Sequence, residues 1–548
     1  MQGISPMWQT ITRLVQTLYR TPARLNAVIA LWISISCNLP FFKKIIALNP
    51  EASLWFVIAT VLLLWAYLNL FLQLVCWHLL SKPTLSILMF VSTSTAYCMY
   101  AFGVSIDVGQ VQNMFESDLK ESSALFSFGT VVFYSVVLLP ALFIIWSIPP
   151  DQQPFWHSLR SKLLSILMSL ITIGLVAAVY YADYASLFRE HRTLRDDVTP
   201  HNLINSLNKY YQQQQPLKQV LFQRYGTDAQ RLSNDAAQKP KLLVLVLGET
   251  ARAESFSLNG YSRNTNPALS QQDIVYFDQV SSCGTATAVS VPCLFSGMQR
   301  SNYDETVAKH REGLLDIVQR AGYRVTWIDN NSGCKGVCDR IEHVPLLETA
   351  KPKWCLDRDY CLDGILLDSL ADFLTQQPLH DRVIVLHQIG NHGPSYYQRY
   401  PQDTAPFKPD CPTNAIQDCE RQALINSYDN SIAYTDQILS RIIDQLAGDT
   451  RYQSSLLYVS DHGESTGEKG LYLHGSPYMF APSQQTHVPM LAWFSADFKT
   501  NQPKQVNCLQ QRKHDAISHD YFFHTVLGLT QVNTAVKNAD LDLSTCQN

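Results

Sequence analysis

Leu242-Leu243-Val244-Leu245-Val246-Leu247, followed at once by Gly248-Glu249-Thr250, decides how the larger part of this chain folds. A short, wholly apolar run bounded by turn residues reads as a strand buried on both faces. The runs 323–328, 383–386 and 456–459 read the same way, and helical patterns separate them. That alternation predicts an α/β domain with a mostly parallel central sheet.

Each run ends in polar residues. Asp329-Asn330-Asn331 follow the second, His387 and then Asn391-His392-Gly393-Pro394 the third, and Ser460-Asp461-His462-Gly463-Glu464 the fourth. Parallel sheets place their sites at the carboxyl ends of the strands, so these groups are expected to converge on one crevice. One polar residue at a strand end is an ordinary cap or turn; four ends rich in Glu, Asp, Asn and His are not. Glu249, Asp461 and His462 suit zinc or another divalent cation, and His392, His474 and His487 extend the candidate set. Two adjacent ligands reach one ion only if the backbone turns, which Gly463 permits.

A nucleophile would complete such a site. The loop 283–293, Cys-Gly-Thr-Ala-Thr-Ala-Val-Ser-Val-Pro-Cys, offers the hydroxyls of Thr285, Thr287 and Ser290. A hydroxyl is a weak nucleophile at neutral pH, and metal coordination is one way to activate it. Taken alone, the segment reads as a Ser/Thr-rich surface turn.

Upstream the composition changes. Of the 548 residues, the first 185 carry 16 charged side chains and the other 363 carry 72, so charge density rises from about 9% to about 20%. Five stretches, 25–42, 54–80, 84–106, 124–148 and 163–182, contain no Asp, Glu, Lys or Arg. At about 1.5 Å per residue each spans a hydrocarbon core of about 30 Å, the first only just. The expectation is a membrane domain of five helices over 1–183, a linker over 184–240 and a soluble catalytic domain over 241–548. The first span follows 24 residues without a small-residue cleavage pattern and reads as a retained anchor. In the linker, Leu203, Ile204, Leu207, Tyr210 and Tyr211 recur at helical spacing, predicting an amphipathic helix that lies either on the membrane or on the soluble domain.

With five spans the termini face opposite sides, and the loop cations favour a cytoplasmic N-terminus and an exported C-terminal domain. Cysteines point the same way. Cys37, Cys76 and Cys98 fall in or at spans, while the other ten of the 13 lie in the soluble part, in an order that suggests near-neighbour pairs and a last pair tying back the tail. No C-x2-C pair occurs, so disulfides in an oxidising compartment are favoured over a thiolate zinc site. The net charge of −4, without long runs of one sign, excludes a nucleic-acid role.

The motifs Gly248-Glu249-Thr250-Ala251-Arg252, Asn259-Gly260-Tyr261, the 283–293 loop, Gly390-Asn391-His392-Gly393-Pro394, Ser460-Asp461-His462-Gly463-Glu464-Ser465 and Leu473-His474-Gly475 occur in this order. In them the chain resembles the bacterial phosphoethanolamine transferases that modify lipid A, which include the mobile colistin-resistance enzymes, within the alkaline phosphatase and sulfatase superfamily. The resemblance runs over essentially the whole chain. It implies an inner-membrane protein, a monomer, with a periplasmic catalytic domain. Phosphatidylethanolamine would be the donor and a lipid A phosphate the acceptor, reacting through a phosphothreonine intermediate. Lower outer-membrane negative charge and polymyxin resistance would follow.

Residue by residue, Thr287 matches the family's nucleophile, and Glu249, Thr287, Asp461 and His462 match its tetrahedral zinc site. Lys335, His392 and His474 match groups around the transferred phosphoryl, which in some members bind a second, weaker zinc. Asn113, Ser117 and Glu121, spaced at i, i+4 and i+8, match positions proposed to hold the ethanolamine head group, with Ser117 where some members have Thr. The family's disulfides match Cys283 with Cys293, Cys355 with Cys361 and Cys411 with Cys419; Cys334 with Cys338 and Cys508 with Cys546 occur in only some members. Two rivals stand beside this reading. One is transfer of phosphoethanolamine or phosphoglycerol to another envelope glycan, such as a core sugar or a periplasmic glucan. The other is a non-enzymatic transporter or receptor, which would call for charges inside the spans. A sulfatase would need C-x-P-x-R in the loop, which is absent.

Overall fold

The structure, a computed structural model, describes residues 21–49, 53–77, 80–116, 125–147, 154–190, 192–217, 221–232, 239–356 and 360–546. Its described residues form two compact units, one drawn from 1–111 and 126–210, the other from 112–125 and 211–548.

The charge-poor stretches are helical because a backbone in hydrocarbon must satisfy its own polar groups. Among the described residues, four helices are long and apolar enough to cross a membrane: α3 (Leu54–Val75), α4 (Ser81–Phe102), α6 (Phe128–Ser147) and residues 155–181 of α7 (Phe155–Glu190). The first expected span is not one straight helix. α1 (Pro22–Trp32) runs through a π-helical turn, Ile33–Cys37, and α2 (Leu39–Leu48) leaves it at 58°. Asn38 makes the break: its backbone is non-helical and its side-chain amide donates to the carbonyls of Ile33 (3.0 Å) and Thr199 (3.2 Å). Counted as one bent span, this pair brings the number to five. Lys43 and Lys44, just past the first charge-free stretch, lie inside α2, and Lys44 Nζ donates to Asp197 Oδ1 at 2.8 Å.

Amides stitch these helices together. Asn26 Nδ2 donates to Gln73 Oε1 (3.1 Å), while Gln73 Nε2 donates to Asn69 Oδ1 (2.9 Å) and Ser165 Oγ (3.0 Å), joining α1, α3 and α7. Such bonds hold helices together where lipid tails give no hydrophobic drive. The short helix α5 (Val108–Glu116) follows α4. The amphipathic segment is α8 (His201–Leu217), whose Leu203 and Tyr210 pack on Met99, Ile106 and Val111 at the end of α4 and the start of α5.

In the second unit a seven-stranded sheet has the order β2-β7-β6-β1-β5-β3-β4, from strands β1 (Lys241–Gly248), β2 (Ile274–Phe277), β3 (Arg324–Asp329), β4 (Glu342–Val344), β5 (Arg382–His387), β6 (Gln453–Ser460) and β7 (Met490–Phe494). All neighbours are parallel except those of β7, which runs antiparallel to both β6 and β2. The four strands legible in the sequence are the central four, adjacent in space. Their register sets Leu247 beside both His387 and Val459, and Asp329 beside His387. β1, β5 and β6 are buried along their whole length. One face packs on α9 (Thr287–Ser296), α10 (Leu314–Arg320) and α13 (Asp520–Leu529), the other on α11 (Gly364–Gln376) and α12 (Arg421–Gly448), giving three layers and two cores.

Candidate active site and metal centre

Glu249 leaves the end of β1 and Asp461 and His462 leave β6, and all three are fully buried. Their turns depend on two glycines. A Cβ at Gly463 would lie 2.0 Å from the Gln484 carbonyl oxygen. Gly390, at φ +51°, would place one 2.6 Å from the Glu249 carbonyl oxygen. The backbone thus passes closer here than any side chain permits.

Thr287, half-buried, opens α9, and its Oγ1 donates toward Glu249 Oε1 and Oε2, each at 3.1 Å, with His462 Nε2 at 3.3 Å. The other two hydroxyls of the loop point elsewhere: Thr285 Oγ1 donates to the Ser476 carbonyl at 2.6 Å, and Ser290 Oγ donates to the Asp461 carbonyl. The loop is closed by the Cys283–Cys293 disulfide, and the buried His519 accepts the Cys283 N–H at Nδ1 (3.1 Å) while Nε2 donates to the Ser460 carbonyl (3.0 Å). Burial pushes His519 down to about 3, so it holds the loop as a neutral ring. Disulfides also join Cys334 with Cys338, Cys355 with Cys361, Cys411 with Cys419 and Cys508 with Cys546.

The electrostatics set the donor atoms. Asp461 Oδ1 accepts the N–H groups of Thr250 (3.2 Å) and His462 (2.7 Å), while Oδ2 is buried with no hydrogen-bond partner among the described residues and with His462 Nε2 3.4 Å away. His462 Nδ1 donates to the Gly463 carbonyl at 2.9 Å, which turns Nε2 toward the carboxylates. Burial and then the Glu249 charge raise Asp461 to about 6. Burial would raise Glu249 as well, but its hydrogen bond and charge contact with His462 hold it below the usual carboxylate range. Burial would lower His462, yet Asp461 and Glu249 lift it to about 10. Two buried carboxylates facing one imidazole call for a positive charge among them. One ligand atom from each of Glu249, Asp461 and His462 lies within 4.8 Å of the others, and with the Thr287 hydroxyl they make a four-donor O,O,O,N set. The orphaned Asp461 Oδ2 and this donor chemistry fit a tetrahedral divalent ion such as zinc.

A narrow cavity beside Thr287 is lined by Asn113, Glu116, Ala288, Ser332, Lys335, His392 and His474. Lys335, in the left-handed region at φ +52°, donates from Nζ to the carbonyl of Glu116 (3.1 Å) and to Ser332 Oγ (3.1 Å). The His474 ring lies 4.5 Å from that of His462 and 5.2 Å from that of His392, and His474 Nδ1 faces the buried Glu464 Oε2 at 3.3 Å. Asn113 thus joins the site, while Ser117 and Glu121 lie outside the described residues. His487 does not belong to it, because its Nε2 bonds the Asp278 carbonyl at 2.9 Å. Sequence reading assigned no role to Asp363, whose Oδ1 accepts the Ile389 N–H (3.0 Å) and whose Oδ2 accepts the Gly390 N–H (2.9 Å), fixing the turn into His392. Its place at the start of α11, far along the chain, gave no local signal.

Comparison with known proteins agrees with this architecture. Residues 241–532 match the Sulfatase family, and residues 64–215 match the family described as phosphoethanolamine transferase EptA/EptB. Phosphoethanolamine transferase EptA of Escherichia coli K12 is 41% identical over 531 residues, covering 94% of this chain and 96% of that one. Phosphatidylethanolamine transferase Mcr-1 of Escherichia coli is 35% identical over 534 residues, covering 95% and 96%. Among solved structures, the integral membrane lipooligosaccharide phosphoethanolamine transferase A of Neisseria meningitidis superposes with a TM-score of 0.90 at 35% identity, over 95% of this chain and 98% of that one.

Proposed function

Because the chain belongs to the EptA family of phosphoethanolamine transferases, inside the sulfatase superfamily, we propose that it moves phosphoethanolamine from phosphatidylethanolamine to a lipid A phosphate with Thr287 as nucleophile. It is an integral membrane enzyme whose C-terminal catalytic domain, which we assign to 241–548 after a linker from 184, lies in the periplasm. The observation that carries the reading is the selection of one hydroxyl: of Thr285, Thr287 and Ser290, only Thr287 faces Glu249 and His462.

Glu249, Asp461, His462 and Thr287 would hold a tight zinc ion. When bound, that ion lowers the pKa of the threonine hydroxyl and offsets charge on the phosphoryl oxygens. The rest falls to the protein. Thr287 is the first residue of α9, so the phosphoryl group it accepts sits at a helix N-terminus, where the dipole and unpaired N–H groups favour an anion. Lys335 sets a cation on the facing wall of the cavity. Attack by Thr287 Oγ1 on the donor phosphorus releases diacylglycerol and leaves phosphoethanolamine on the threonine. His392 and His474 stand within the same cavity, where either could protonate the departing alkoxide; a second, weaker zinc would take them as ligands instead. Attack by a lipid A phosphate oxygen then regenerates Thr287. Asn113, which lines this cavity, would receive the ammonium head group. The added ammonium lowers the negative charge of the outer membrane and gives resistance to polymyxins such as colistin.

Mass spectrometry of the purified, zinc-loaded chain with phosphatidylethanolamine tests this. The expected result is a phosphoethanolamine adduct on Thr287 that lipid A discharges. An adduct that lipid A leaves in place would move the acceptor to another envelope glycan, and turnover by Thr287→Ala at the wild-type rate would overturn the nucleophile.

A further inference from the structure

The two oxygens of Glu249 have different neighbours. Oε1 faces His462 Nε2 at 3.2 Å, whereas Oε2 accepts a hydrogen bond from Asn331 Nδ2 at 2.8 Å. Asn331 follows the end of β3, two residues beyond Asp329. Its amide nitrogen also faces the Gln388 carbonyl (2.8 Å) and His387 Nε2 (3.2 Å), and its amide oxygen accepts the Ser332 N–H at 2.7 Å. Its two N–H groups go to the Glu249 and Gln388 oxygens; a flipped amide would set its oxygen against both of these acceptors and its nitrogen against the Ser332 N–H, so one orientation alone is satisfied. Behind it, the fully buried His387 donates from Nδ1 to Asp329 Oδ1 at 2.8 Å. The Asp329 oxygen that receives this bond also accepts the Asn331 backbone N–H at 3.2 Å. Trp327 packs edge-on against the His387 ring at 5.4 Å.

We propose that Asn331, held by the Gln388 carbonyl at its amide and by Asp329 at its backbone N–H, is the positioning residue for Glu249: it ties down Oε2 so that Oε1 is free to face a metal ion. The proposal rests on the reading of Glu249 as a zinc ligand. Asn331 does not touch the reacting hydroxyl; it acts on it through the carboxylate. Outer partners of this kind commonly account for 10–100-fold in metal affinity. The amide suits the task better than a charged group. It donates to the carboxylate without adding positive charge that would compete with the cation. The same turn carries Ser332, which orients Lys335, so one segment fixes both the carboxylate and the cation of the site.

The test is zinc affinity of the full-length, detergent-solubilised protein, measured by competition with a chelating dye, together with the visible spectrum of Co2+ bound in place of zinc. Asn331→Ala is expected to weaken zinc binding roughly 10–100-fold and to change the Co2+ spectrum, with the thermal midpoint of the chelator-treated protein unmoved. Wild-type affinity and spectrum in Asn331→Ala, alongside lost binding in Glu249→Ala, would overturn the proposal and leave the ligand assignment standing. Undiminished binding in Glu249→Ala would instead overturn the assignment on which it rests.

Discussion

Replacing Asp363 with Asn asks how the turn before His392 is held. Asp363 is 3% exposed, and its carboxylate accepts the N–H of Ile389, the N–H of Gly390 and the Asn330 amide at 2.7 Å. Burial pushes its pKa from an ordinary 3.8 up to about 6, against the pull of those donors and of Arg399. A folded pKa about two units above the unfolded one makes ionised Asp363 cost about 3 kcal/mol of stability. The sign follows from the proton count. Between pH 4 and 6 the folded state holds a proton that the unfolded state has released, so this group's contribution is present below about pH 4 and lost as pH rises through 6. The substituted amide would not titrate. In Asp363→Asn the stability difference should therefore move in the variant's favour by about 2 kcal/mol between pH 4 and 7. One amide oxygen cannot receive both N–H groups of the turn, so the variant loses elsewhere: 389–392 shifts and turnover drops roughly ten- to a hundredfold. Denaturant unfolding of both proteins at pH 4, 5, 6 and 7, followed by fluorescence of the soluble domain, reads the first effect. Parallel stability curves over that range would refute the reasoning, as would unchanged turnover.

Thr285→Ala loses only a hydrogen bond to the Ser476 carbonyl, so adduct formation should persist at a rate within about tenfold of wild type, while Thr287→Ala forms none; peptide mass spectrometry separates them. Removing the Cys508–Cys546 disulfide by a double Ser substitution frees a loop of sequence separation 38, for which chain entropy gives about 4 kcal/mol; the thermal midpoint should fall while transfer at 25 °C is retained. Gly463→Ala puts a Cβ 2.0 Å from the Gln484 carbonyl oxygen, forcing apart the turn that carries Asp461 and His462, and bound zinc measured by elemental analysis should be lost.

The sequence disclosed whatever depends on neighbours along the chain. Uninterrupted apolar runs marked the four central strands, and their polar ends marked Glu249, Asp461 and His462, because a parallel sheet gathers those ends at one edge. Three strands passed unseen: β2 and β4 are short, and β7 runs against the pattern, antiparallel at Met490–Phe494. The break at Asn38 was hidden because a polar residue in an apolar run reads as a tolerated exception until its amide is seen to take the Thr199 carbonyl, 161 residues away. His487 was misplaced for the converse reason. A histidine near a cluster in sequence looked like a ligand, but the strand that follows it turns its ring to Asp278.

The residues that sequence named without a role show where such reading stops. Asn331, Asp329 and His387 are polar groups at strand ends, each with an ordinary explanation as a cap. Their meaning lies in register: β3 pairs with β5 so that Asp329 sits opposite His387, and β5 pairs with β1 so that Leu247 sits opposite His387, two residues before Glu249. A one-residue slip of either pairing would separate the amide from the carboxylate it holds. The choice among hydroxyls has the same origin. Thr285 and Thr287 are chemically alike, but α9 begins at Thr287 after the extended Ala286, and that change of backbone direction turns one threonine to the Ser476 carbonyl and the other to Glu249. Reactivity at this site is therefore decided by where a helix starts and by how three strands align, both set by packing rather than by the residue types that carry the chemistry.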